Sequence, residues 1–333
     1  MFTRLRHTRI GAVAALTTAA VLALGACGDG SSTDATDSPA ANGPVADNQG
    51  ATGNITIGFS ISTMQNPFFV SMREGISAAE AENDVTVLFA DANDDPLQQA
   101  NDILNFIAQG VDVAVLNPTD GQAIISSVEA LNEAGIPVIT VDRRSEGGQV
   151  VAHIGTDNVT AGEVTARAFL EAIGGQGQIA ILEGVPGASA SIDRGQGFAN
   201  VLQDFPNVEV VATQTANFQR SEGLTVAENI LQANPNLVGF LSMNDEMALG
   251  AVEAIASAGL TGSVLTIGID GGSDAIQAVA DGTLVATVAQ QSFLMGRMGI
   301  EDAILLAQGQ SIATEQPVDV LVIDAANVDQ FLD

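Results

Sequence analysis

The chain has 333 residues, 46% hydrophobic and 15% charged, with 10 Lys+Arg against 40 Asp+Glu and a formal net charge of −30. At roughly 150 residues per domain this length predicts two domains, and the charge excludes nucleic acid and anionic lipid headgroups as partners, because both need a basic surface. Every basic residue is arginine, which excludes P-loop, Schiff-base and general-base lysines, and 2 His with 1 Cys leave too little for a zinc site or a Cys–His pair.

In chain order, Arg4, Arg6 and Arg9 precede an uncharged run from Ile10 to Ala26, the pattern of a secretory signal. The run is short and Ala/Gly-rich for a permanent span. It ends Leu24-Gly25-Ala26-Cys27, with the sole cysteine last, and this resembles a bacterial lipobox. The resemblance implies cleavage after residue 26 and lipidation of Cys27, which would anchor an exported protein to the outer face of the cytoplasmic membrane. The alternative is an ordinary signal with an incidental cysteine. Loss of residues 1–26 removes three arginines and no acids, so the mature charge would be −33. The Gly/Ser/Thr/Asp/Ala/Asn/Pro stretch that follows is too polar to fold by itself, and residues 27–53 are expected to be a lipidated cysteine and flexible tether.

From Ile55 onward, short β-rich runs alternate with longer helical patterns. Strands are predicted at 55–60, 85–90, 113–116, 138–141, 151–154, 178–183, 208–213, 238–242, 264–269 and 285–290. Near-continuous apolar strands point to parallel sheets buried on both faces. Helices are predicted at 67–81, 96–109 and 121–134, with Pro67 and Pro96 in first turns and Gly135-Ile136-Pro137 as a stop. The pattern is α/β, doubly wound, with too many strands for one sheet and hence two.

Open α/β sheets bind ligands beyond the carboxyl ends of their strands. Those ends are polar here: Ser62 and Asn66-Pro67-Phe68-Phe69, Asn117-Pro118-Thr119-Asp120, Asp142-Arg143-Arg144, Asn217-Phe218, Asn244-Asp245-Glu246, Asp270-Gly271-Gly272 and Gln290-Gln291, with Arg194 beyond the strand that ends at Glu183. Carboxylates accept, guanidinium groups donate in a fork, and amides do both. A small polyhydroxylated ligand needs all three, and phenyl rings can cover the apolar C–H faces of a sugar. Taken singly, each polar residue could simply cap the next helix, and Phe68 and Phe69 could be core. Their recurrence at one end of both sheets is what points to a ligand.

Asn66-Pro67-Phe68-Phe69-Val70-Ser71 and Asn244-Asp245-Glu246-Met247-Ala248-Leu249-Gly250 resemble the ribose-binding proteins of bacterial ABC importers, members of the type I periplasmic-binding-protein superfamily. So do the stretches 116–120, 137–143, 194–198 and 289–290, over about residues 54–325. The resemblance implies two Rossmann-like lobes with parallel sheets, joined by a three-segment hinge, with the ligand in the interlobe cleft. The N-terminal lobe would hold 54–156 and 291–319, and the C-terminal lobe 157–290 and 320–333. It implies ligand-binding roles for Asn66 with Ser62 beside it, for the stacking rings Phe68 and Phe69, and for the Asp142–Arg143 pair. From the second lobe it implies Arg194, Phe218, Asn244 and Asp270, with Gln290 at the hinge. The implied partners are a monosaccharide, D-ribose first, and an ABC permease in the membrane. A monomer with no cofactor and no metal is expected. The long N-terminus and the absence of lysine depart from the family.

Allose or a sugar-derived signalling molecule are alternative ligands, and a chemoreceptor an alternative docking partner. A secreted sugar-acting enzyme is a different class: Asp142 and Asp270 could imitate a glycosidase pair. Arg143 and Arg194 are expected to keep both carboxylates ionised, which disfavours a general acid. Asp91-Ala92-Asn93-Asp94-Asp95 imitates half a calcium loop, but Pro96 and Asp102 stand where Gly and Glu are needed, so a turn and helix cap are expected. His153, inside a strand pattern, is expected to be structural, and no G-x-S-x-G, Walker A or G-x-G-x-x-G motif occurs.

Overall fold

A computed structural model describes residues 54–332; the expected signal, Cys27 and tether lie outside the described residues. In the first half, β1 (Thr56–Ile61), β2 (Thr86–Asp91), β3 (Val113–Leu116), β4 (Val138–Val141) and β5 (Ala152–Gly155) alternate with α1 (Pro67–Asn83), α2 (Pro96–Gln109) and α3 (Ile125–Glu133). In the second, α4 (Asn158–Ala172), α5 (Ser189–Leu202), α6 (Arg220–Ala233), α7 (Asp245–Ser257) and α8 (Ser273–Ala280) alternate with β6 (Gln176–Glu183), β7 (Asn207–Thr215), β8 (Leu237–Ser242), β9 (Leu265–Asp270) and β10 (Ala286–Ala289). The chain ends with α9 (Ser292–Ala307), β11 (Glu315–Pro317) and β12 (Leu321–Asp324).

These strands form two six-stranded sheets, ordered β11-β5-β4-β3-β1-β2 and β12-β10-β9-β8-β6-β7. β3 (VAVL) and β4 (VITV) are buried at every residue, as strands covered by helices on both faces must be. In the first lobe, one face of the sheet packs Ile57, Phe59, Val115 and Ile139 against α1 and α9, and the other packs Ala114, Leu116 and Val138 against α2 and α3. The second lobe has its own core around Phe169, Phe198, Phe240 and Ile267. The chain crosses between lobes three times: after β5, after β10 where α9 returns to pack on α1, and between β11 and β12.

Predicted strand ends fall within a few residues of the observed ones. Three differences have local causes. The predicted helix at 121–134 starts only at Ile125, because the Gly121 N–H donates to Gly187 O across the cleft and its carbonyl accepts from Glu146 N; the first turn is committed to other contacts. β11 and β12 were not expected, being only three and four residues long. β12 runs antiparallel to β10, the one departure from parallel pairing among the described residues, because β11, parallel to β5, ends on the cleft side and the short link starts β12 where β10 ends.

The Asp91–Asp95 segment is a turn and cap, as expected. The Asp95 carboxylate accepts from Leu97 N at 2.8 Å, Asp91 accepts from Asn93 N, and Asn93 and Asp94 take left-handed φ of 50° and 59°. No cluster of three metal-ligating side chains occurs among the described residues. None of the described helices is long and apolar enough to cross a membrane. His153 is buried, with Nδ1 2.9 Å from the Thr140 hydroxyl, and burial pushes its pKa down to about 4, so it is a neutral structural residue.

Candidate functional site: a chamber between the lobes

Residues at or just beyond the carboxyl ends of β1, β4, β8, β9 and β10 line the cleft. The Asn66 carboxamide caps α1, accepting from Phe68 N at 2.8 Å, and Pro67 sets the helical φ at the first position. The cap occupies Oδ1, which leaves the amide nitrogen for the cleft. Asn244 is built alike: Oδ1 accepts from Met247 N at 3.0 Å, and its amide donates to Phe218 O at 3.2 Å. Capping and lining are one arrangement at these two positions, because the end of a parallel strand is also the start of a helix.

Ten of the eleven residues expected from sequence line one chamber: Asn66, Phe68, Phe69, Asp142, Arg143, Arg194, Phe218, Asn244, Asp270 and Gln290, joined by Ala190. The free cavity between these side chains is about 20 Å³, room for about one water, so the lining has to part to admit a sugar. Ser62 is the exception. It is fully buried behind the chamber, where its N–H donates to Asn117 Oδ1 at 3.1 Å. Ala190, in the first turn of α5, carried no signal in the sequence; it matters only because a small side chain there leaves room.

Phe68 and Phe69 meet edge to face, with centroids 5.1 Å apart. The Arg143 guanidinium lies 5.3 Å from the Phe69 ring and 5.6 Å from Phe218 of the other lobe. Arg194 lies 5.9 Å from the same Phe218 ring. Gly184 makes this possible, since a Cβ there would run into the Phe218 ring. Arg143 and Arg194 are 3% exposed, so their charges act through a low dielectric.

Neither arginine forms a tight pair. Arg143 Nε is 3.8 Å from Asp142 Oδ2 and Arg194 Nη1 is 3.9 Å from Asp270 Oδ1. Arg194 donates from Nε to Asn158 Oδ1 at 2.8 Å and from Nη1 to Met243 O at 2.5 Å, which leaves three of its five N–H groups. Asp142 and Asp270 are both raised above the usual carboxylate range, first by burial; the arginines oppose this without overcoming it. Asp270 is raised further by Asp245 and Asp142. The expectation that the two arginines hold both carboxyls low is therefore corrected: sequence adjacency supplies the cation, but loose geometry and full desolvation decide the sign. Two buried chamber atoms, Arg143 Nε and Gln290 Oε1, have no hydrogen-bond partner within the protein, one a donor and one an acceptor.

Two more residues support the lining. Asn117 was singled out only as part of a motif; its amide donates to Asp142 Oδ2 and Val141 O, both at 3.0 Å. Asp245, also within a motif, accepts from Gly272 N and the Thr287 hydroxyl beside Asp270. Thr287 had no sequence signal, because strand β10 comes next to Asp245 only in three dimensions.

Comparison with known proteins agrees with this geometry. The chain is 43% identical over 265 residues to the ribose import binding protein of Bacillus subtilis, covering 80% of this chain and 86% of that one. It is 31% identical over 323 residues to the xylitol-binding protein of Mycolicibacterium smegmatis, covering 97% and 87%. Among solved structures, a solute-binding protein of Actinobacillus succinogenes with bound D-allose superimposes with TM-score 0.79 at 33% identity, covering 83% of this chain and 100% of that one. Residues 57–311 match the family model for the periplasmic binding protein domain; with a two-lobed fold and an interlobe chamber in place, the chain belongs to the periplasmic binding protein family.

Proposed function

We propose that the chain is the extracytoplasmic solute-binding protein of an ABC importer, which captures D-ribose between its lobes and delivers it to a membrane permease. The observation that carries this reading is the meeting of ten polar and aromatic side chains from both lobes in one chamber, together with the identity to a ribose import binding protein over most of both chains. Asp142 and Asp270 would accept from sugar hydroxyls, Arg143 and Arg194 would donate, and Asn66, Asn244 and Gln290 would do either. Phe68, Phe69 and Phe218 would cover the ring faces. Hydroxyls donated to the carboxylates favour their ionised form, so ligand and charge stabilise one another. The role is binding alone, with no bond made or broken.

The lobes would divide at 54–156 with 291–319 and 157–290 with 320–333, and hinge at the three crossings. Docking on the permease would use the closed form, as a monomer anchored through lipidated Cys27. An allose- or inositol-type ring is the second ligand reading, favoured by the related structures with bound D-allose and bound myo-inositol.

Calorimetric titration of the ligand-stripped protein with D-ribose, D-allose, xylitol and myo-inositol tests the proposal. One-to-one binding that is tightest for ribose is expected. Binding of allose or inositol alone would move the assignment to hexoses or cyclitols, and turnover of any of these sugars would overturn the binding-only role.

A further inference from the structure

Asp245 is the first residue of α7, directly after Asn244, yet it does not cap the helix; Asn244 already does. Its carboxylate reaches instead to the turn after β9. Oδ2 accepts from Gly272 N at 2.9 Å, and Oδ1 accepts from the Thr287 hydroxyl at 2.7 Å. The same hydroxyl accepts from Gly271 N at 3.0 Å. Both amides that follow Asp270 are thus held by one buried Asp–Thr pair. Asp270 itself has φ 142°, a conformation that L residues rarely adopt and that persists only where its surroundings over-determine it.

Electrostatics gives no reason to keep a carboxylate at position 245. It is 3% exposed; burial, with a smaller push from Glu246, raises its pKa to about 6 against the hydrogen bonds it accepts. Asp245 in turn raises Asp270, so the two acids work against each other. The fold also makes room for it, since a Cβ on Gly268 would run into Asp245 Oδ1. What the carboxylate supplies is geometry, as an acceptor for two donors at fixed positions.

We propose that Asp245 and Thr287 are positioning residues for ligand capture: they hold the Gly271-Gly272 amides so that Asp270, in its strained backbone conformation, presents its carboxylate to a sugar hydroxyl. The assignment rests on the monosaccharide reading of the chamber.

The test is a titration with D-ribose of the wild type, Asp245→Asn, Thr287→Val, Thr287→Ser, Asp270→Asn and the Asp245→Asn/Asp270→Asn double variant, each checked for a cooperative melt without ligand. In parallel, amide hydrogen exchange at Gly271 and Gly272 is followed in the ligand-free proteins. Asp245→Asn and Thr287→Val should each weaken binding by about tenfold, the scale of one hydrogen bond to a charged group. Thr287→Ser keeps the hydroxyl and should bind within about twofold of wild type. In the Asp270→Asn background, Asp245→Asn should add nothing, since coupled residues are not additive. Exchange at both glycines should speed up in Asp245→Asn and Thr287→Val. An Asp245→Asn penalty that persists without the Asp270 carboxylate, or equal binding by Thr287→Val and wild type, would overturn the proposal. If Asp245→Asn fails to fold, the Thr287→Val and Thr287→Ser pair decides. A wild type that ignores ribose defeats the functional reading instead; unchanged exchange at Gly271 and Gly272 in Thr287→Val would then still overturn the positioning role.

Discussion

The two lobes share a sheet topology and each brings one aspartate to the chamber, but they hold it differently. In the first lobe, Asp142 has φ 62° and is held by neutral groups. Asn117 donates to it, and Asn117 is fixed by Ser62 N, Val141 O and Gln99. Gln99 in turn bonds the Ser60 hydroxyl and accepts from Thr119 N. In the second lobe, Asp270 is held through a second carboxylate and a hydroxyl. A buried amide network is saturated at any pH, whereas a buried carboxylate titrates. Similar folds thus hold one aspartate through groups that do not titrate and the other through a carboxylate that does.

The largest expected effect tests what the lobes share. Arg143 faces rings from both lobes and is fully desolvated, so Arg143→Ala should weaken ribose binding by at least about 30-fold, since truncating one member of a buried charge pair costs ~2–5 kcal/mol. Titration calorimetry reads this directly; a loss below tenfold would mean that the arginine is packing rather than ligand contact.

Opposite responses to pH sharpen the contrast. His153, in the first lobe, has a folded pKa near 4 against 6.5 in the unfolded chain. Its contribution is complete above pH 6.5 and is lost as pH falls toward 4, by about 3 kcal/mol. Asp245 has a folded pKa near 6 against 3.8 unfolded. Its ionisation opposes folding, so its contribution is complete below pH 3.8 and is lost as pH rises through 6, again by about 3 kcal/mol. Asp142 and Asp270, also raised by burial, add to the second trend. Denaturant melts of His153→Gln between pH 4 and 6.5 should therefore show stability rising more steeply as pH falls than in the wild type. Ribose affinity should fall with acidification through pH 6 in the wild type and lose part of that dependence in Asp245→Asn, where Glu246 and Asp270 remain the acids beside that position.

Asn117→Ala leaves the Asp142 carboxylate, Val141 O and Ser62 N short of a partner. It should destabilise the protein by about 2–3 kcal/mol, a cost of unsatisfied buried groups, and raise the Asp142 carboxyl further, because the Asn117 amide favours its ionised form. A pH profile identical to wild type would show that the Asn117 amide does not tune Asp142. The smallest effect belongs to the cleft rim. Arg144 N donates to the Ser189 hydroxyl across the lobes at 2.9 Å, and Ser189→Ala should weaken binding about threefold to tenfold, one ordinary hydrogen bond of the closed form, while leaving the ligand-free melt unchanged.

Much of this was legible in the sequence. β3 and β4 were readable to the residue because a short apolar run between turn signals has one interpretation when helices flank it. Asn66, Asp142, Arg143 and Asp270 stood out because polar residues recur at strand ends. Other features were not legible. The Asp142 and Asp270 pKa directions follow from burial and from arginine distances near 4 Å, which residue order does not encode. Thr287 sits mid-strand among apolar neighbours, where a threonine carries no special signal. Gly121 has the look of a helix start until Gly187, 66 positions away, claims its N–H.

Composition alone determined that no lysine chemistry operates here and that the surface repels anionic partners. Periodicity determined two doubly wound sheets, because apolar spacing is a local property of the chain. Tertiary structure decided which strand ends meet, which acids share a low dielectric, and that β12 turns antiparallel at the sheet edge. Those depend on distances between residues far apart in sequence, and hydrogen bonding, desolvation and charge coupling all act through distance.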